Sequence, residues 1–442
     1  MVQAKTRHIP RELDQAAKTV AQTLQAAGFR AWIVGGAVRD LVIGRKVSEI
    51  DMTSAARPEV IEALFEHTIG VGKAFGTMIV VLGDVQIELT TFRADGEYRD
   101  GRHPESVQYS DTPEQDAERR DFTCNAMFLD PLTDEFLDPT GGQADLLGGV
   151  LRTVGNASER FSEDALRLLR LARFAARLDL EVPDDIRDAA IACAPRLSQI
   201  SKERVLAELT KILTARDCHK AIGLMFELGM ISYALPELAL LHGEFYGNED
   251  SIGRRMSALE WLESDHLASG LAVLFDPLGG ELESARSALL SLKPSKALAR
   301  EVEQLWETLT ALEALEPMDA VDVDRGPHRA ARLLILGHSN WPRARDLAAA
   351  FGDIRSLSDA FEGGHLGRNG RELAEFASEL SAGDIAPTPL LGSKDLGALE
   401  LRPGPLWGET LQASYVAQLE GKLKTREEAL AWLEVRAASS AE

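Results

Sequence analysis

The sequence predicts an α+β protein: a small head that mixes strands and helices, followed by an all-helical remainder. Three observations carry this. Short β-branched and aromatic runs are confined to the first 140 or so residues. After about Phe161 the apolar residues recur at helical spacing. From 255 to 380 almost no strand-like alternation remains. At 442 residues the chain exceeds one ordinary domain and predicts two to four compact units.

Taken in order, residues 11–30 read as an amphipathic helix, with Leu13, Ala16, Ala17, Val20, Leu24 and Phe29 loosely at helical spacing. Gly28 punctuates the start of a strand, Ala31–Val34 (AWIV). Further strands are predicted at Glu49–Thr53, Gly76–Val81, Val85–Thr91 and Cys124–Leu129. Helices follow in DALRLLRLARFAARL, KERVLAELTKIL and AIGLMFELGMI. Asp384–Pro389 (DIAPTP) reads as a linker before a final segment ending in TREEALAWLEVRA. The expected domains are a head, 1–153, a helical neck, 154–240, a helical body, 241–380, and a tail, 381–442.

Composition narrows the function. Hydrophobic residues at 45% and charged residues at 27% describe a soluble globular chain. No apolar run approaches a membrane span, and the N-terminal MVQAKTRHIPREL is charged rather than signal-like. Cys124, Cys193 and Cys218 are odd in number and lack metal-ligand spacing, which predicts a reduced, cytoplasmic protein without a disulfide framework or zinc. Lys and Arg total 48 against 70 Asp and Glu, a net charge of −22. That excludes binding nucleic acid through bulk charge. A nucleic-acid substrate would need a local basic patch and would bind in a salt-sensitive way.

The richest stretch is VGGAVRDLVIGRKVSEIDMT, Val34–Thr53. Gly35 and Gly36 end a strand and, lacking side chains, let backbone N–H groups approach a phosphate. Glu49 and Asp51 are spaced i, i+2 on a predicted strand, so both carboxylates project from one face. Oxygen ligands so placed suit Mg²⁺, which takes carboxylates together with substrate phosphates and water. A two-metal arrangement of this kind activates an attacking hydroxyl and stabilises a leaving pyrophosphate. Read alone, the glycines also suit a tight turn and the acids a solvated strand face.

The stretch resembles the signature of the class II tRNA nucleotidyltransferase and bacterial poly(A) polymerase family, within the polymerase-β-like superfamily. That signature is GGxVRD, then, after a fixed interval, DxD followed by Thr; the matches are Gly35, Gly36, Val38, Arg39, Asp40, Gly44, Asp51 and Thr53. Glu49 stands where the family has its first metal-binding Asp. Its extra methylene moves the carboxylate by about 1.5 Å, a displacement that slows chemistry on the order of a hundredfold unless the backbone absorbs it.

A second block, RRDFTCNA (Arg119–Ala126), resembles the family's RRDFTINA. The resemblance implies that Arg120, Asp121 and Asn125 bind the nucleotide's sugar and phosphates. DPTGGQADL, from Asp138, matches a family turn read as structural. A third block, EDALRLLRLAR (Glu163–Arg173), resembles the EDxxR motif, in which side chains replace a template. Asp164 and Arg167, three apart on one expected helix, would accept from an exocyclic amine and donate to a ring nitrogen, selecting cytosine and adenine. Arg170 and Arg173 are further nucleotide contacts by the same resemblance. SKERVLAELTKIL resembles a fifth block that braces the neck, with Glu203, Arg204, Glu208 and Lys211 as ion-pairing positions.

Members of the family add CCA, CC, A or poly(A). Residues 91–109 look like the full-length loop of A- and CCA-adding members, and Gly70–Gly76 followed by Thr77 fits the tRNA enzymes rather than the polymerases. Residues 389–411, with Gly404 and Gly408, resemble a bacterial tail segment. Asp276 lacks the His of an HD phosphohydrolase, His242 and His266 read as ordinary, and no hydrolase activity is expected. Arg325, Arg329, Arg332, Lys293 and Lys296 are candidate RNA-phosphate contacts. The expectation is therefore an enzyme that adds C, C and A to the tRNA 3′ end from CTP and ATP. Glu49 and Asp51 would hold Mg²⁺, with Mn²⁺ as an alternative and Glu88 as a third carboxylate. It would be a monomer or weak homodimer with no membrane. The rival expectations are an A-adding enzyme with a CC-adding partner, and a tRNA-binding protein crippled by Glu49.

Overall fold

The computed structural model describes residues 8–73, 76–94, 108–238, 250–262, 266–276, 282–315, 326–355, 365–398 and 405–439. The chain divides into two compact units, Met1–Ala239 and Leu240–Glu442.

The first unit is built on a seven-stranded sheet. Helix α1 (Arg11–Ala26) buries the stripe Ala16, Ala17, Val20, Ala21 and Leu24, as the helical spacing of its apolar residues requires. It feeds β1 (Ala31–Val34), every residue of which is buried. A short helix α2 (Gly36–Val42) leads to β2 (Asp51–Ser54) and α3 (Pro58–Leu64). Then come β3 (Thr68–Gly72), β4 (Thr77–Leu82) and β5 (Val85–Thr91). After β6 (Arg93–Ala94), β7 (Gln108–Tyr109) and α4 (Pro113–Glu118), the sheet is completed by β8 (Phe128–Leu129) and β9 (Phe136–Leu137). The order is β3-β4-β5-β2-β1-β8-β9; β2 and β5 are parallel and the other pairs antiparallel. Behind it lies a core of Trp32, Val34, Phe92, Ala117, Ala126, Phe128 and Val154. Trp32 and Phe128 meet edge to face at 6.5 Å.

Two expected strands are corrected. Glu49 lies outside β2, because Val34 pairs with Asp51 and β1 then ends in the turn at Gly35. Glu49 has no strand left to pair with. The segment Cys124–Leu129 opens in a 3-10 turn, Thr123–Asn125, and only Phe128–Leu129 is strand. Strands β3, β6, β7 and β9 went unanticipated, being short or Gly-containing. Strands β6 and β7 pair with each other; of the expected loop, residues 91–109, positions 95–107 lie outside the described residues.

Helix α5 (Gly142–Leu147) requires a glycine at its first position. A Cβ built on Gly142 would stand 2.0 Å from the Thr123 carbonyl oxygen. Asp138 caps the same turn, accepting from the Gly142 N–H at 2.8 Å and the Gln143 N–H at 2.9 Å.

The helices that follow join the same unit directly. The Leu151 N–H donates to the Glu181 carbonyl at 2.8 Å, and Phe122 meets Phe174 edge to face at 5.6 Å. These helices are α6 (Ala157–Glu163), α7 (Leu166–Leu178), α8 (Asp184–Cys193), α9 (Lys202–Leu213), α10 (Cys218–Glu227) and α11 (Ile231–Ala234). The expected continuous helix through Glu163–Arg173 is broken. Asp164 adopts φ −145°, ψ 105° because its side chain accepts from the Leu166 N–H at 3.0 Å, a local bond that competes with helix propagation.

The described residues of the second unit are helical. Trp306 is buried and donates its indole N–H to the Ala272 carbonyl at 3.0 Å. Arg255, also buried, caps the end of the helix Leu267–Leu274 by donating to the Leu274 carbonyl at 3.1 Å and to the Asp276 carbonyl. Burial lowers its guanidinium to about 10 despite the opposing pull of Asp276. The expected linker at Asp384 starts inside a short helix, Ala382–Ile385, which Ser381 and Asp384 close with a capping box. Arg332 is 2% exposed and bonds the His328 carbonyl, so it cannot meet a phosphate. Arg329 stacks on Phe376, Lys293 and Lys296 are exposed, and Arg325, His242 and Gly404 lie outside the described residues.

Replacing Gly142 with Ala forces a clash with backbone rather than with a flexible side chain. Gly142→Ala should cost roughly 1–3 kcal/mol, read as a lower urea midpoint with an unchanged m-value; an unchanged midpoint would refute the contact.

Candidate active site

One cavity of about 730 Å³ receives every catalytic and nucleotide-binding residue expected from the sequence except the third carboxylate, Glu88. Gly35, Gly36 and Arg39 come from the β1–α2 turn, Glu49 and Asp51 from the approach to β2, and Arg120, Asp121 and Asn125 from the segment after α4. Asp164 and Arg167 stand at the α6–α7 junction, with Arg170 and Arg173 further along α7. The turn is possible because Gly35 holds φ 71°, ψ −129°, which a residue with a Cβ adopts only under strain.

Asp51 heads β2 directly opposite Glu88 on β5. Its carboxyl is pushed up to about 6, first by lost hydration, then by repulsion from Glu88 and Glu49, with Arg120 opposing. The residue is exposed in surface area, so water screens part of that repulsion. Glu88 does not line the cavity. Among the described residues no three or more His, Cys, Asp or Glu side chains form a ready metal cage. The donor set nevertheless fits a hard divalent cation: two carboxylates face the cavity, a third raises the local negative charge, and substrate phosphates and water can complete the shell.

Two buried aspartates organise the arginines. Asp116 is 0% exposed. Its Oδ1 accepts from Arg119 Nε at 2.8 Å and its Oδ2 from Arg120 Nη2 at 2.8 Å. Burial would raise its carboxyl, but Arg120 and Arg119 outweigh that and hold it below the usual range. Asp121 accepts at Oδ2 from Arg170 Nε at 2.7 Å, and at Oδ1 from the Phe122 N–H at 2.8 Å and Asn125 Nδ2 at 3.2 Å. Again burial opposes, and Arg170 leads the groups that keep the carboxyl low. Arg39, 4% exposed, donates from Nη1 to Asn125 Oδ1 at 2.9 Å and from Nε to Asp40 at 2.9 Å. A chain Asp40–Arg39–Asn125–Asp121–Arg170 thus ties α2 to α7.

Two residues expected at the nucleotide also have protein partners. The Asp121 oxygens accept from Arg170, Asn125 and the Phe122 N–H, and the Arg39 guanidinium donates to Asp40 and Asn125. The expectation that Asp164 and Arg167 share one helix face is corrected, since the helix breaks at Asp164. They still line the same cavity. Arg167 Nη1 donates to the Arg160 carbonyl at 2.9 Å and Nη2 to the Arg119 carbonyl at 3.1 Å, and the side chain pairs with Glu163. Arg39, Arg170 and Arg173 place their guanidinium groups 5.5, 5.3 and 4.2 Å from the Phe174 ring centre.

The cavity also holds residues the sequence reading missed or placed elsewhere: Arg119, Phe174, Arg177, Arg204 and Lys211. Arg204 and Lys211, read as braces, face the cavity. They also form the ion pairs expected of braces: Arg204 with Asp164 at 2.7 Å and Lys211 with Glu208 at 3.9 Å, while Glu208 pairs with buried Arg173. Arg177 repeats the α7 stripe seven residues after Arg170, a spacing that could have found it. It pairs with no carboxylate among the described residues. The lining counts nine Lys or Arg against four Asp or Glu. An acidic chain thereby presents a cationic pocket, and field lines concentrate in such a cleft.

Comparison with known proteins follows the same residues. The family described as the poly A polymerase head domain matches residues 31–152, and the one described as the probable RNA and SrmB-binding site of polymerase A matches 179–241. The chain is 38% identical over 298 residues to a CCA-adding enzyme of Geobacillus thermodenitrificans, covering 67% of this chain and 71% of that protein. With a CCA-adding enzyme of Streptococcus suis it shares 31% over 427 residues, 96% and 97% of the two chains. Its fold matches the crystal structure of the Bacillus stearothermophilus CCA-adding enzyme in complex with CTP, with TM-score 0.71 and 28% identity, over 98% and 99% of the chains. The Thermotoga maritima CCA-adding enzyme complexed with tRNA shares the fold at TM-score 0.60 and 20% identity, over 98% and 97%.

Asp116→Asn should leave Arg119 and Arg120 without their shared anion and cost about 3–5 kcal/mol at pH 7. The sign with pH is fixed: a depressed carboxyl stabilises above its unfolded value near 4 and loses that contribution as pH falls through its lower folded value. The gap between wild type and variant in urea unfolding should therefore narrow below pH 4; a constant gap would contradict it.

Proposed function

The chain belongs to the class II tRNA nucleotidyltransferase family of CCA-adding enzymes, and we propose that its 730 Å³ cavity is where C, C and A are joined to the 3′ end of tRNA. CTP and ATP are the donors, no nucleic-acid template is used, and pyrophosphate leaves. The observation that carries this is the meeting, in one cationic pocket, of a carboxylate pair and of an Asp and an Arg able to read a base edge.

Glu49 and Asp51 are the groups that would hold the divalent ions, with Mg²⁺ the fit for hard oxygen donors and Mn²⁺ the alternative. When bound, these ions withdraw charge from the phosphate oxygens and acidify the attacking hydroxyl. The remaining work belongs to the chain. The terminal 3′-hydroxyl of tRNA attacks the α-phosphorus, and the bond to pyrophosphate breaks. Arg170, aimed by Asp121, and Arg119 and Arg120, held by Asp116, supply fixed positive charge for the triphosphate. Gly35 and Gly36 leave room for phosphate oxygens to reach the backbone.

Base choice is assigned to Asp164 and Arg167. A carboxylate accepts from the amine of cytosine or adenine, and a guanidinium donates to the adjacent ring nitrogen. Uracil and guanine present the reverse order and leave both groups unpaired. Glu49 need not cripple the site. Lying outside β2, it can absorb its extra methylene by backbone adjustment that a paired strand residue could not make. The free, buried state of all three cysteines suits the reducing cytoplasm.

The deciding experiment extends tRNA transcripts ending before CCA, after C, and after CC, with Mg²⁺ and CTP, ATP or both. Three nucleotides added only with both substrates, followed by a stop, is the expected result. Extension of the CC-ended transcript alone, or a long ladder, would overturn it. On the same assay Glu49→Asp should change kcat by less than about tenfold, while Glu49→Ala should lower it at least on the order of a hundredfold; equal losses would mean the carboxylate itself is not required.

A further inference from the structure

Residue Arg204 belongs to a helix expected only to brace the neck, yet its guanidinium enters the cavity and meets Asp164. The geometry points to Arg204 as a positioning residue for nucleotide selection: it fixes the plane of the Asp164 carboxylate, and through that the preference for cytosine and adenine, whose exocyclic amine lies beside a ring-nitrogen acceptor. This rests on the assignment of base reading to Asp164.

Asp164 sits where α6 has ended and α7 has not begun, so no helix geometry fixes its side chain. Two bonds do. Oδ1 accepts from the Leu166 N–H at 3.0 Å, and Oδ2 accepts from Arg204 Nη2 at 2.7 Å. With one anchor on each oxygen, rotation about the Cβ–Cγ bond is blocked. Each oxygen has two acceptor directions, so one on each remains for a base amine. Arg204 can do this because α9 packs beside α7 and brings positions 204, 208 and 211 along one face. The rungs are Arg204 to Asp164 and Glu208 to Arg173. Arg167 is held independently, by the Arg160 and Arg119 carbonyls and by Glu163.

Removing Arg204 thus leaves Arg167 in place and frees only the acceptor. A carboxylate held at one oxygen rotates, and its contact with the amine is made in a fraction of encounters. Incorporation of CTP and ATP should fall together. The advantage of CTP over UTP should shrink, because that advantage depends on an acceptor aimed at the amine position.

The test uses the full-length chain and single-nucleotide incorporation kinetics, with CTP and UTP on tRNA ending before CCA and with ATP on tRNA ending in CC. Arg204→Met is expected to lower kcat/KM for CTP and for ATP on the order of tenfold each and to reduce the CTP-to-UTP ratio by a similar factor. KM for tRNA and the melting temperature should stay at wild-type values. Arg204→Lys, which restores one charged donor, should recover part of the ratio. On an Asp164→Ala background Arg204→Met should change the ratio no further.

A fall in kcat/KM with the ratio intact would reduce Arg204 to a brace and overturn the inference. So would a gain in CTP incorporation, which would mean that Arg204 competes with the base. Failure of the premise looks different: Asp164→Ala alone would then keep the wild-type ratio, and base reading would have to be reassigned.

Discussion

The first unit is organised around buried carboxylates that each bind more than one partner. Asp116 holds Arg119 and Arg120, and Asp121 holds Arg170 while orienting Asn125 toward Arg39. Burying an anion is costly unless its partners are well placed, so these carboxylates constrain their surroundings as much as they stabilise them. The strand end at Val34, the turn after Phe122 and the first half of α7 must all sit where those bonds close. The cavity is the space this constraint leaves in front of the arginines.

That arrangement resolves the conflict between a net charge of −22 and a polyanionic substrate. The acidic excess is an average over the surface, whereas the pocket is lined mainly by cations. Several of its cations are already paired with carboxylates, which sets their direction and lowers the entropy lost when a phosphate binds. Arg177 is the exception, a cation at the cavity wall with no paired carboxylate among the described residues. Of the four acids that line the cavity, Glu49 and Asp51 repel each other.

Much of the site was legible in the sequence because motif residues have chemistry that needs little context. Gly35, Asp51, Arg120 and Asp164 were found that way, and all face one cavity. Roles were harder to read than positions. Nothing in RRDFTCNA says that the Asp121 oxygens are filled by Arg170, because the two lie 49 residues apart. The helical spacing of Asp164 and Arg167 suggested a shared face. It failed because a single side-chain bond to the Leu166 N–H ends one helix and starts another.

The sequence by itself determined the α+β head and the helical remainder and pointed to residues that line one cavity, since hydrophobic period, glycine placement and side-chain chemistry are local properties. Tertiary structure decided which charges were already spent. Arg39 and Asp121 took protein partners, Arg332 went into the core, and Arg204 reached the cavity wall while pairing with Asp164. The physical reason is that a charged side chain's surroundings are set by its partner, and Arg170 for Asp121 and Asn125 for Arg39 come from 49 and 86 residues away in the chain.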